Sequence, residues 1–492
     1  MPGLDGYGKA NFGRYNQRTM LKLFSRIPAL VLVGSGFIIG LLLAGALLAP
    51  RVVEFSPGDG AREVPSTSSI RLRFNRAMNR ASVESRFSTD PPQSGQFNWD
   101  GQELTFTPDE PWPSGAQIEV RLRAGALGQV PLPMLRSKRW TYWVGQPRVL
   151  YLWPASGAAN LYLIPPDQET GAIQLTFHPT GILDYALFDS GTLVVFSLNS
   201  ENGGQSFYVL DLISGEERLI RSCDSGVRCS TPAVSPDGRW LAFTGQNYQI
   251  GSGGRTMPEG SRVWVLALEG EGELVPVSPA EHEARDPAWS PQGWLTYYDE
   301  SLKATALLTF DQGPAPSPFT YVPNSLGAAG SWSPDGTRLV YPEIFFLPSQ
   351  GDEGEPGSES DYYSHLYRTD VTTGETDDIS PGSSVRVEDA SPVYSPDGTR
   401  LAFARKFLDS ERWTPGRQLW LLELDDGSAV GLTNESNFTF SSFNWNPDST
   451  RLVYMRRDSS DLSRGPEIWL MDLATMEPIL LVEGGYLPAW IP

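Results

Sequence analysis

The segment Ala233–Phe243 reads AVSPDGRWLAF, and close copies recur as SWSPDGTRLVY at Ser331–Tyr341 and as VYSPDGTRLAF at Val393–Phe403. In each copy the proline fixes φ at the second turn position, the aspartate hydrogen-bonds to the local backbone and the glycine takes a positive φ. An apolar segment precedes each turn and a β-rich segment follows it. Each copy therefore predicts two antiparallel strands joined by a tight turn.

Further strands complete the repeated unit. Looser copies of the turn begin at Phe188, Trp289 and Trp445, which brings the number of turn-marked units to six. A third strand is predicted after each turn, for example at Val263–Leu266, and a short fourth strand, for example at Val430–Thr433. Four strands in a unit of 43–62 residues predict the blade of a β-propeller.

The two ends of the repeat region indicate how the ring closes. The terminal segment LPAWIP at Leu487–Pro492 aligns with DPAWSP at Asp286–Pro291, so it is predicted to be an innermost strand with no blade after it. At the other end, Val149–Trp153, Asn160–Leu163 and Ile173–Thr176 supply three strands that lack an innermost partner. Together they predict a seventh blade closed by the C-terminal strand, with six and eight blades as alternatives.

The repeats resemble the TolB-type, WD40-like β-propeller, whose mark is the W-S-P-D-G…L-A-F pattern. The resemblance covers residues 148–492 and implies the propeller fold without implying a function. TolB itself is expected to have six blades, so the predicted count of seven departs from the named family.

A smaller β-domain is predicted at residues 51–145, where short alternating segments are separated by turn residues about every ten positions. Ser82–Ser85 is expected to cap one short helical turn. The stretches FSPGDGAREVP, IRLRFNRAMNRASVESRF and GQFNWDGQELTFTPDEPWPSG resemble the bacterial Ig-like domain of surface-layer proteins. That resemblance implies a spacer or adhesion module without catalysis.

A membrane anchor is predicted at Ile27–Leu48, which is 22 residues without a charge and long enough to span a hydrocarbon core of roughly 30 Å. Five basic residues precede it: Lys9, Arg14, Arg18, Lys22 and Arg26. The positive-inside bias predicts that residues 1–26 form a disordered cytoplasmic tail and that the rest of the chain lies outside the cell membrane as a single-pass protein. A cleaved signal peptide is the alternative.

The composition excludes several functional classes. The chain has 38 Lys and Arg against 58 Asp and Glu, a net charge of −20, which argues against a nucleic-acid partner. No nucleophile-elbow motif is found, and His282–Glu283 lacks the second histidine of a zinc-peptidase motif. We therefore expect no enzymatic activity and no cofactor. Cys223 and Cys229 are expected to form a disulfide that clamps one loop.

The candidate site is the propeller face opposite the S-P-D-G turns, where the loops between second and third strands open. These loops are predicted at Gln246–Gly260, Pro342–Tyr363, Lys406–Arg417 and Arg457–Pro466, with an acidic run at 351–361. Candidate ligand-binding residues are the aromatics Tyr248, Phe345, Phe346, Tyr362, Tyr363 and Trp413. Asp184, Asp286 and Asp389 enter first strands on the same face, where they either hold a divalent cation or cap backbone amides.

Three functions are compatible with these features. The first is a membrane-tethered binding or scaffold protein of the bacterial envelope that engages a protein or glycan, and the acidic face favours a cationic partner or a glycan held through a divalent ion. The second is a propeller glycosidase or lyase that uses channel-mouth carboxylates, for which two carboxylates must face each other at about 5–9 Å. The third is a purely structural component of a surface layer.

Overall fold

The computed structural model describes residues 49–62, 64–168, 171–201, 204–224, 226–250, 256–268, 272–310, 317–346, 362–382 and 386–491. The predicted tail and anchor lie outside these ranges. Among the residues described, no helix is long and apolar enough to cross a bilayer. The chain divides into two compact units, one comprising residues up to 60, 69–107 and 118–141 and the other comprising the remainder.

The N-terminal domain is a β-sandwich. Its elements are β1 (Val52–Ser56), β2 (Ile70–Phe74), α1 (Arg80–Glu84), β3 (Phe87–Asp90), β4 (Gly95–Asp100), β5 (Glu103–Pro108), β6 (Gln117–Leu122) and β7 (Lys138–Trp143). The sheet orders are β1-β2-β5-β4 and β3-β6-β7. Leu72 and Leu104 from the first sheet pack with Leu122 from the second in one buried cluster, so the predicted sandwich is confirmed.

The short helix of this domain differs from the prediction. It begins at Arg80 instead of at Ser82, and Asn79 is its N-cap, because the Asn79 side chain accepts a hydrogen bond from the Ser82 backbone N–H at 3.0 Å. The strand Phe87–Asp90, which follows the helix, was missing from the sequence prediction.

The C-terminal part begins with three strands, β8 (Arg148–Trp153), β9 (Asn160–Ile164) and β10 (Ile173–Gln174). Six four-stranded blades follow. Blades 1 to 3 are β11 (Ile182–Leu187), β12 (Leu193–Asn199), β13 (Gln205–Asp211), β14 (Glu217–Ser222); β15 (Val227–Val234), β16 (Trp240–Ile250), β17 (Thr256–Ala267), β18 (Leu274–Pro276); and β19 (Ala284–Trp289), β20 (Leu295–Asp299), β21 (Ala304–Thr309), β22 (Ser317–Pro323).

Blades 4 to 6 have the same up-and-down order. They are β23 (Ser331–Trp332), β24 (Arg338–Phe346), β25 (Tyr362–Asp370), β26 (Thr376–Asp378); β27 (Val387–Tyr394), β28 (Arg400–Phe407), β29 (Gln418–Glu423), β30 (Ala429–Gly431); and β31 (Phe438–Trp445), β32 (Arg451–Asp458), β33 (Glu467–Asp472), β34 (Glu477–Glu483). A single parallel pair, Ser364 with Glu388, joins blades 4 and 5.

The last strand, β35 (Tyr486–Ile491), closes the ring. It pairs antiparallel with β8, with Ala489 opposite Leu150 and Trp490 opposite Val149. The resulting sheet β10-β9-β8-β35 is the seventh four-stranded unit among the described residues, so the predicted closure is confirmed. Trp490 is buried in a cluster that also holds Val453 and Leu470 of blade 6, which fixes blade 7 against its neighbour.

The S-P-D-G turns join first and second strands, as predicted. Ser235 Oγ donates to Asp237 Oδ1 at 2.6 Å, the Arg239 backbone N–H donates to the same oxygen at 3.0 Å, and Gly238 has φ of 71°. The aspartate thus satisfies the turn locally and has a structural role.

The innermost strands share a β-bulge near the central channel. Their register shifts coincide with a positive φ at a non-glycine residue in five blades, at Thr231, Asp286, Ser391, Ser442 and Leu487. Bulges re-aim side chains and are frequent next to functional sites. These positions therefore determine which side chains reach the channel mouth.

Candidate binding site on the long-loop face

A cavity of about 650 Å³ lies between blades 6 and 7. It is lined by three strand ends and the loops attached to them: the end of β8 and the loop after it, the end of β32 and the loop to β33, and the start of β35 with the loop that enters it. The first two loops join second and third strands of their blades, and the third enters a first strand. The cavity therefore opens on the predicted long-loop face, away from the S-P-D-G turns.

Two aspartates shape the loop between β32 and β33. Asp458 accepts hydrogen bonds from Ser460 N at 2.8 Å and Ser460 Oγ at 2.5 Å, and Asp461 accepts from Ser463 N at 3.1 Å. Hydrogen bonds from Ser460 and Ser463 lower the pKa values of Asp458 and Asp461, so both carboxyls hold the loop in their charged form. This side of the cavity is built from local turns.

Trp153 forms the opposite side. Its indole N–H donates to the Glu483 carbonyl at 3.1 Å, and its ring meets Tyr162 edge-on at 5.5 Å. Two glycines allow the loops to approach each other, since a Cβ on Gly465 would lie 3.3 Å from the Gly484 Cα. The indole is therefore held in a fixed position while part of its surface stays open to a ligand.

The charged side chains that line this cavity are both cationic. Arg464 lies 3.8 Å from Asp461 and 3.9 Å from Asp458, at the outer limit of an ion pair, and Arg457 Nη2 donates to the Leu462 carbonyl at 3.3 Å. Residues 146–492 carry only 21 Lys and Arg against 47 Asp and Glu. A cationic cavity in an acidic propeller favours an anionic group, which differs from the cationic partner that the acidity of the whole face suggested.

Asp184 lies close to this cavity, because its charge acts on Tyr486, which lines it. Its Oδ1 accepts from Tyr185 N at 2.8 Å and its Oδ2 accepts from Thr231 N, on the next blade, at 3.1 Å. Burial raises the pKa of Asp184 to about 6, and the negative charge of Asp286 adds to the increase. Burial raises the pKa of Tyr486, a residue that lines the cavity, and the negative charge of Asp184 adds to that increase.

Asp286 occupies the position in blade 3 that corresponds to Asp184 in blade 1. Both come two residues before an alanine that pairs with the same position of the second strand, Ala288 with Thr296 and Ala186 with Val195. Asp286 has φ of 54°, its backbone N–H donates to Thr244 Oγ1 at 3.0 Å, and its carboxylate forms an ion pair with Arg285. Asp184 therefore caps backbone amides, whereas the Asp286 carboxylate binds an arginine, and the hydrogen bond of 2.7 Å between Thr231 and Thr244 links the two positions.

Asp389 does not join them, contrary to the expectation of a ring of three carboxylates. It lies four residues before Val393, the residue equivalent to Ala288, and it is fully buried. Arg405 binds it through two hydrogen bonds of 2.7 Å, and Ser380 Oγ donates to it at 2.6 Å. A carboxylate satisfied in this way is a structural partner of the arginine and is unavailable to a cation.

Several predicted loop aromatics belong to strands. Tyr248 lies in β16, and β24 and β25 extend so far that Phe345 pairs with Tyr363 and Phe346 with Tyr362. Phe345 stacks on Tyr363 at 5.2 Å. The prediction of loops was therefore wrong at 246–250, 256–260, 342–346 and 362–363, because the aromatic segments continue the strand pairing.

Two of the candidate aromatics are open to solvent. Phe346 is 76% exposed and Trp413 is 53% exposed, with Lys406 Nζ 4.8 Å from the Trp413 ring. The acidic run at 351–361 lies outside the described residues. Phe346 and Trp413 are in blades 4 and 5, so they are separate from the cavity between blades 6 and 7.

The S-P-D-G face also contains a cavity, which the sequence did not predict. A cavity of about 510 Å³ is lined by turn residues of blades 4 and 5, including Asp335 and Asp397, and by Arg338 and Arg368. Near-identical turns can still leave a recess where blades meet. This cavity is the natural comparison site for any test of the long-loop face.

The remaining predicted groups have defined partners. Cys223 and Cys229 form the expected disulfide. The three histidines each hydrogen-bond to one carboxylate: His178 to Glu217, His282 to Asp299 and His365 to Asp378. Within the part of the chain that is described, no three His, Cys, Asp or Glu side chains are grouped as metal ligands.

Comparisons with known proteins give one family match and several solved structures with partial likeness. Residues 48–135 match the family model of a bacterial Ig-like domain. Solved structures with a similar fold include a TolB protein from Agrobacterium tumefaciens (18% identity, TM-score 0.37, 56% of this chain and 88% of that chain) and oligogalacturonate lyase from Vibrio parahaemolyticus (15%, 0.47, 67% and 86%). The β-propeller domain of the Trilobed protease from Pyrococcus furiosus is a third (11%, 0.43, 76% and 97%).

No curated protein matches the sequence. At these identities the likeness concerns the fold alone, and the propeller architecture stands on the strand order described above.

The residues that form the cavity were not among the sequence candidates. Trp153 and Tyr486 were assigned to strands, and Arg457 and Arg464 were only part of a loop. The available signal was a tryptophan at the end of an apolar strand followed by Pro154. Only the closure of the ring by β35 brings this end of β8 against the loop of blade 6.

Proposed function

We propose that this protein is a membrane-anchored, extracytoplasmic binding protein of the bacterial cell envelope. The propeller binds a carboxylate-bearing glycan or protein segment in the cavity between blades 6 and 7. The observation that carries the proposal is the combination in one cavity of a fixed, partly open indole with Arg457 and Arg464. Aromatic faces stack on sugar rings and arginine binds carboxylates in a planar, bidentate manner.

The location follows from the sequence of the first 51 residues. The uncharged span Ile27–Leu48 and the five basic residues before it support a single-pass anchor with the N-terminus in the cytoplasm. The match of residues 48–135 to a bacterial Ig-like domain supports a bacterial envelope protein, with that domain as a spacer. The Cys223–Cys229 disulfide is compatible with an oxidising compartment.

The test is a binding screen of the full chain, in detergent or nanodiscs, on an array of acidic and neutral bacterial glycans. We expect binding to acidic glycans. Trp153→Ala and Arg464→Gln should each weaken it at least tenfold, because each removes a direct contact.

Arg338→Gln, at the cavity of the opposite face, is the matched control and should bind like the parent protein. Trp413→Ala tests whether the exposed Trp413, which lies outside the cavity on the long-loop face, contributes to binding. Binding that survives both cavity substitutions but is lost in Arg338→Gln would assign the ligand to the S-P-D-G face. Binding to neutral glycans alone would contradict the role of the arginines.

The alternative function is a carbohydrate-active enzyme that uses channel-mouth carboxylates. It is favoured by the raised pKa of Asp184 beside the ion-paired Asp286, since two carboxyls with different environments can act as acid and base. It is opposed by the commitment of both Asp184 oxygens to backbone amides. Cleavage of an array glycan that is lost in Asp184→Asn would establish the alternative.

A further inference from the structure

At one end of the Ig-like domain, the first described residues lie next to two loops. Arg51 and Asn75 are joined by two hydrogen bonds, Arg51 N to Asn75 Oδ1 at 2.9 Å and Asn75 N to the Arg51 carbonyl at 3.0 Å. Asn79 N donates to the Leu127 carbonyl at 2.9 Å, and Gln129 N donates to the Ala77 carbonyl at 3.0 Å. These bonds connect the start of β1, the loop after β2 and the loop between β6 and β7.

This end is basic, and its cations have no ionic partner. It carries Arg51, Arg76, Arg80, Arg123, Arg136 and Lys138, which we call the basic end. Within the described residues none of the six has a carboxylate oxygen within 4.0 Å. Elsewhere in the domain, by contrast, Arg73 pairs with Glu54, and Arg121 and Arg139 pair with Glu119.

Few carboxylates oppose these charges. Residues 74–83 and 120–138 contain no Asp or Glu. The turn between β4 and β5 brings Asp100 and Glu103 to the same end, because Phe74 N donates to the Gln102 carbonyl at 3.0 Å. Glu84 is occupied by the Trp99 indole N–H at 2.8 Å. Six cations therefore face two free carboxylates.

Apolar side chains project beside the cations. Val130 is 65% exposed and Leu135 is 59% exposed, both in the loop between β6 and β7. A groove of about 340 Å³ beside them is lined by residues 49–52, by Met134 and Leu135, and by Arg136 and Lys138. Cations next to projecting apolar residues match the headgroup and upper acyl layers of a bilayer.

The position of the predicted anchor indicates which partner the basic end would meet. Only two residues separate Leu48, the last residue of the span, from Arg51, and three peptide steps reach at most about 11 Å. Arg51 must then lie within about one Debye length of the lipid headgroups, where attraction to anionic lipid is still effective.

We propose that the basic end is a docking surface for the anionic lipid headgroups of the membrane that anchors the chain. The cations bind lipid phosphates, Val130 and Leu135 enter the interface, and the Ig-like domain lies against the bilayer instead of swinging on the anchor. This inference rests on the anchor in the proposed function.

The test uses the full chain with a fluorophore on Leu135→Cys, which is specific because the only native cysteines are joined in the disulfide. The protein is placed in nanodiscs of phosphatidylcholine alone, or with 30% phosphatidylglycerol, together with a lipid carrying a headgroup-level spin-label quencher. We expect at least threefold more quenching in the anionic discs, and loss of the difference in 0.5 M salt.

Matched variants separate local charge from total charge. The triple variant Arg51→Gln, Arg136→Gln, Lys138→Gln should abolish the excess quenching. Arg71→Gln, Arg121→Gln, Arg139→Gln removes the same charge from the strands and should retain it. The salt titration of the labelled Leu135→Cys protein needs no further substitution, so it tests the proposal even where a triple variant fails to fold.

The outcomes also separate this proposal from the anchor. A chain that does not incorporate into discs would overturn both. A chain that incorporates with an unquenched probe in anionic discs would overturn the docking surface and leave the anchor intact. Equal quenching in neutral and anionic discs would exclude recognition of anionic headgroups.

Discussion

Asp184 in blade 1 and Asp389 in blade 5 show how one residue type takes two roles in the first strands of a propeller. Asp389 is neutralised by Arg405 and hydrogen-bonded by Ser380, so its charge is stabilised inside the propeller. Asp184 accepts hydrogen bonds from two backbone amides, which lower its pKa, but its burial outweighs them and, with the nearby charge of Asp286, raises the pKa of Asp184 to about 6. The first arrangement fixes the fold, whereas the second leaves a group that titrates under mild conditions.

This difference predicts the pH dependence of stability. Because the folded pKa of Asp184 is raised above its unfolded value, stability is lost as the pH rises from about 4 to about 6, by at most about 3 kcal/mol. Asp184→Asn should remove this loss, so its free energy of unfolding relative to the parent should increase across that range. Urea unfolding at several pH values measures the difference.

Asp461→Asn is the control for this pH series. The pKa of Asp461 is lowered by its hydrogen bond with Ser463, so Asp461 is charged throughout the range and its variant should differ from the parent by a constant amount above pH 5. If the free energy of unfolding of Asp184→Asn also differs from that of the parent by a constant amount at every pH, then Asp184 titrates normally.

Single residues also mark the limit of the sequence prediction. The sequence places an aspartate near the start of three first strands, but it does not reveal that Asp389 is two positions further upstream than Asp286 relative to the bulge. A shift of two residues leaves the side chain on the same side of the strand and changes how deep it lies in the blade. That shift decides whether the carboxylate pairs with the adjacent Arg285, as in Asp286, or is fully buried and bound by Arg405 of the second strand, as in Asp389.

At the scale of elements, turn chemistry was the most reliable signal. The S-P-D-G turns, the four strands of each blade and the closing strand followed from the repeat, because proline fixes φ at the second turn position and glycine permits the positive φ that the turn requires. The ends of β24 and β25 did not, because Phe345 and Tyr363 support a longer hairpin as well as they would a binding loop. The cavity residue Trp153 was missed since its partner loop comes from the far end of the chain.

The closing strand provides the element-scale prediction. Deleting residues 484–492 removes the buried side chains Trp490 and Ile491 and exposes the edge of β8. We expect a fall in melting temperature on the order of 10 °C, since two large apolar side chains and a strand of hydrogen bonds are lost. Differential scanning fluorimetry measures the shift.

Rescue in trans tests the cause of that shift. A synthetic peptide with the sequence of residues 484–492 should restore part of the melting temperature by pairing with β8, and a scrambled peptide should not. An unchanged melting curve in the deletion variant would mean that β35 does not hold the ring together.

At the scale of the whole molecule, the charge is unevenly divided. Residues 146–492 carry 47 Asp and Glu against 21 Lys and Arg, whereas residues 51–145 carry 10 against 12. An acidic propeller is repelled by an anionic membrane and a slightly basic domain is not. The uneven charge therefore supports the proposed docking of the basic end on anionic lipid, an attraction that the acidic propeller does not share.

The membrane orientation is the last prediction. The five basic residues before Ile27 should keep the N-terminus in the cytoplasm, so protease added to intact, wall-stripped cells should digest the propeller and leave a short membrane fragment. A cytoplasmic marker protein that survives the same treatment is the control. Replacing Lys9, Arg14, Arg18, Lys22 and Arg26 by Gln should reduce the digested fraction, because the positive-inside bias is then removed. A propeller protected in intact cells would reverse the proposed orientation, and a soluble form that begins near Leu47 would mean that the span is a cleaved signal peptide.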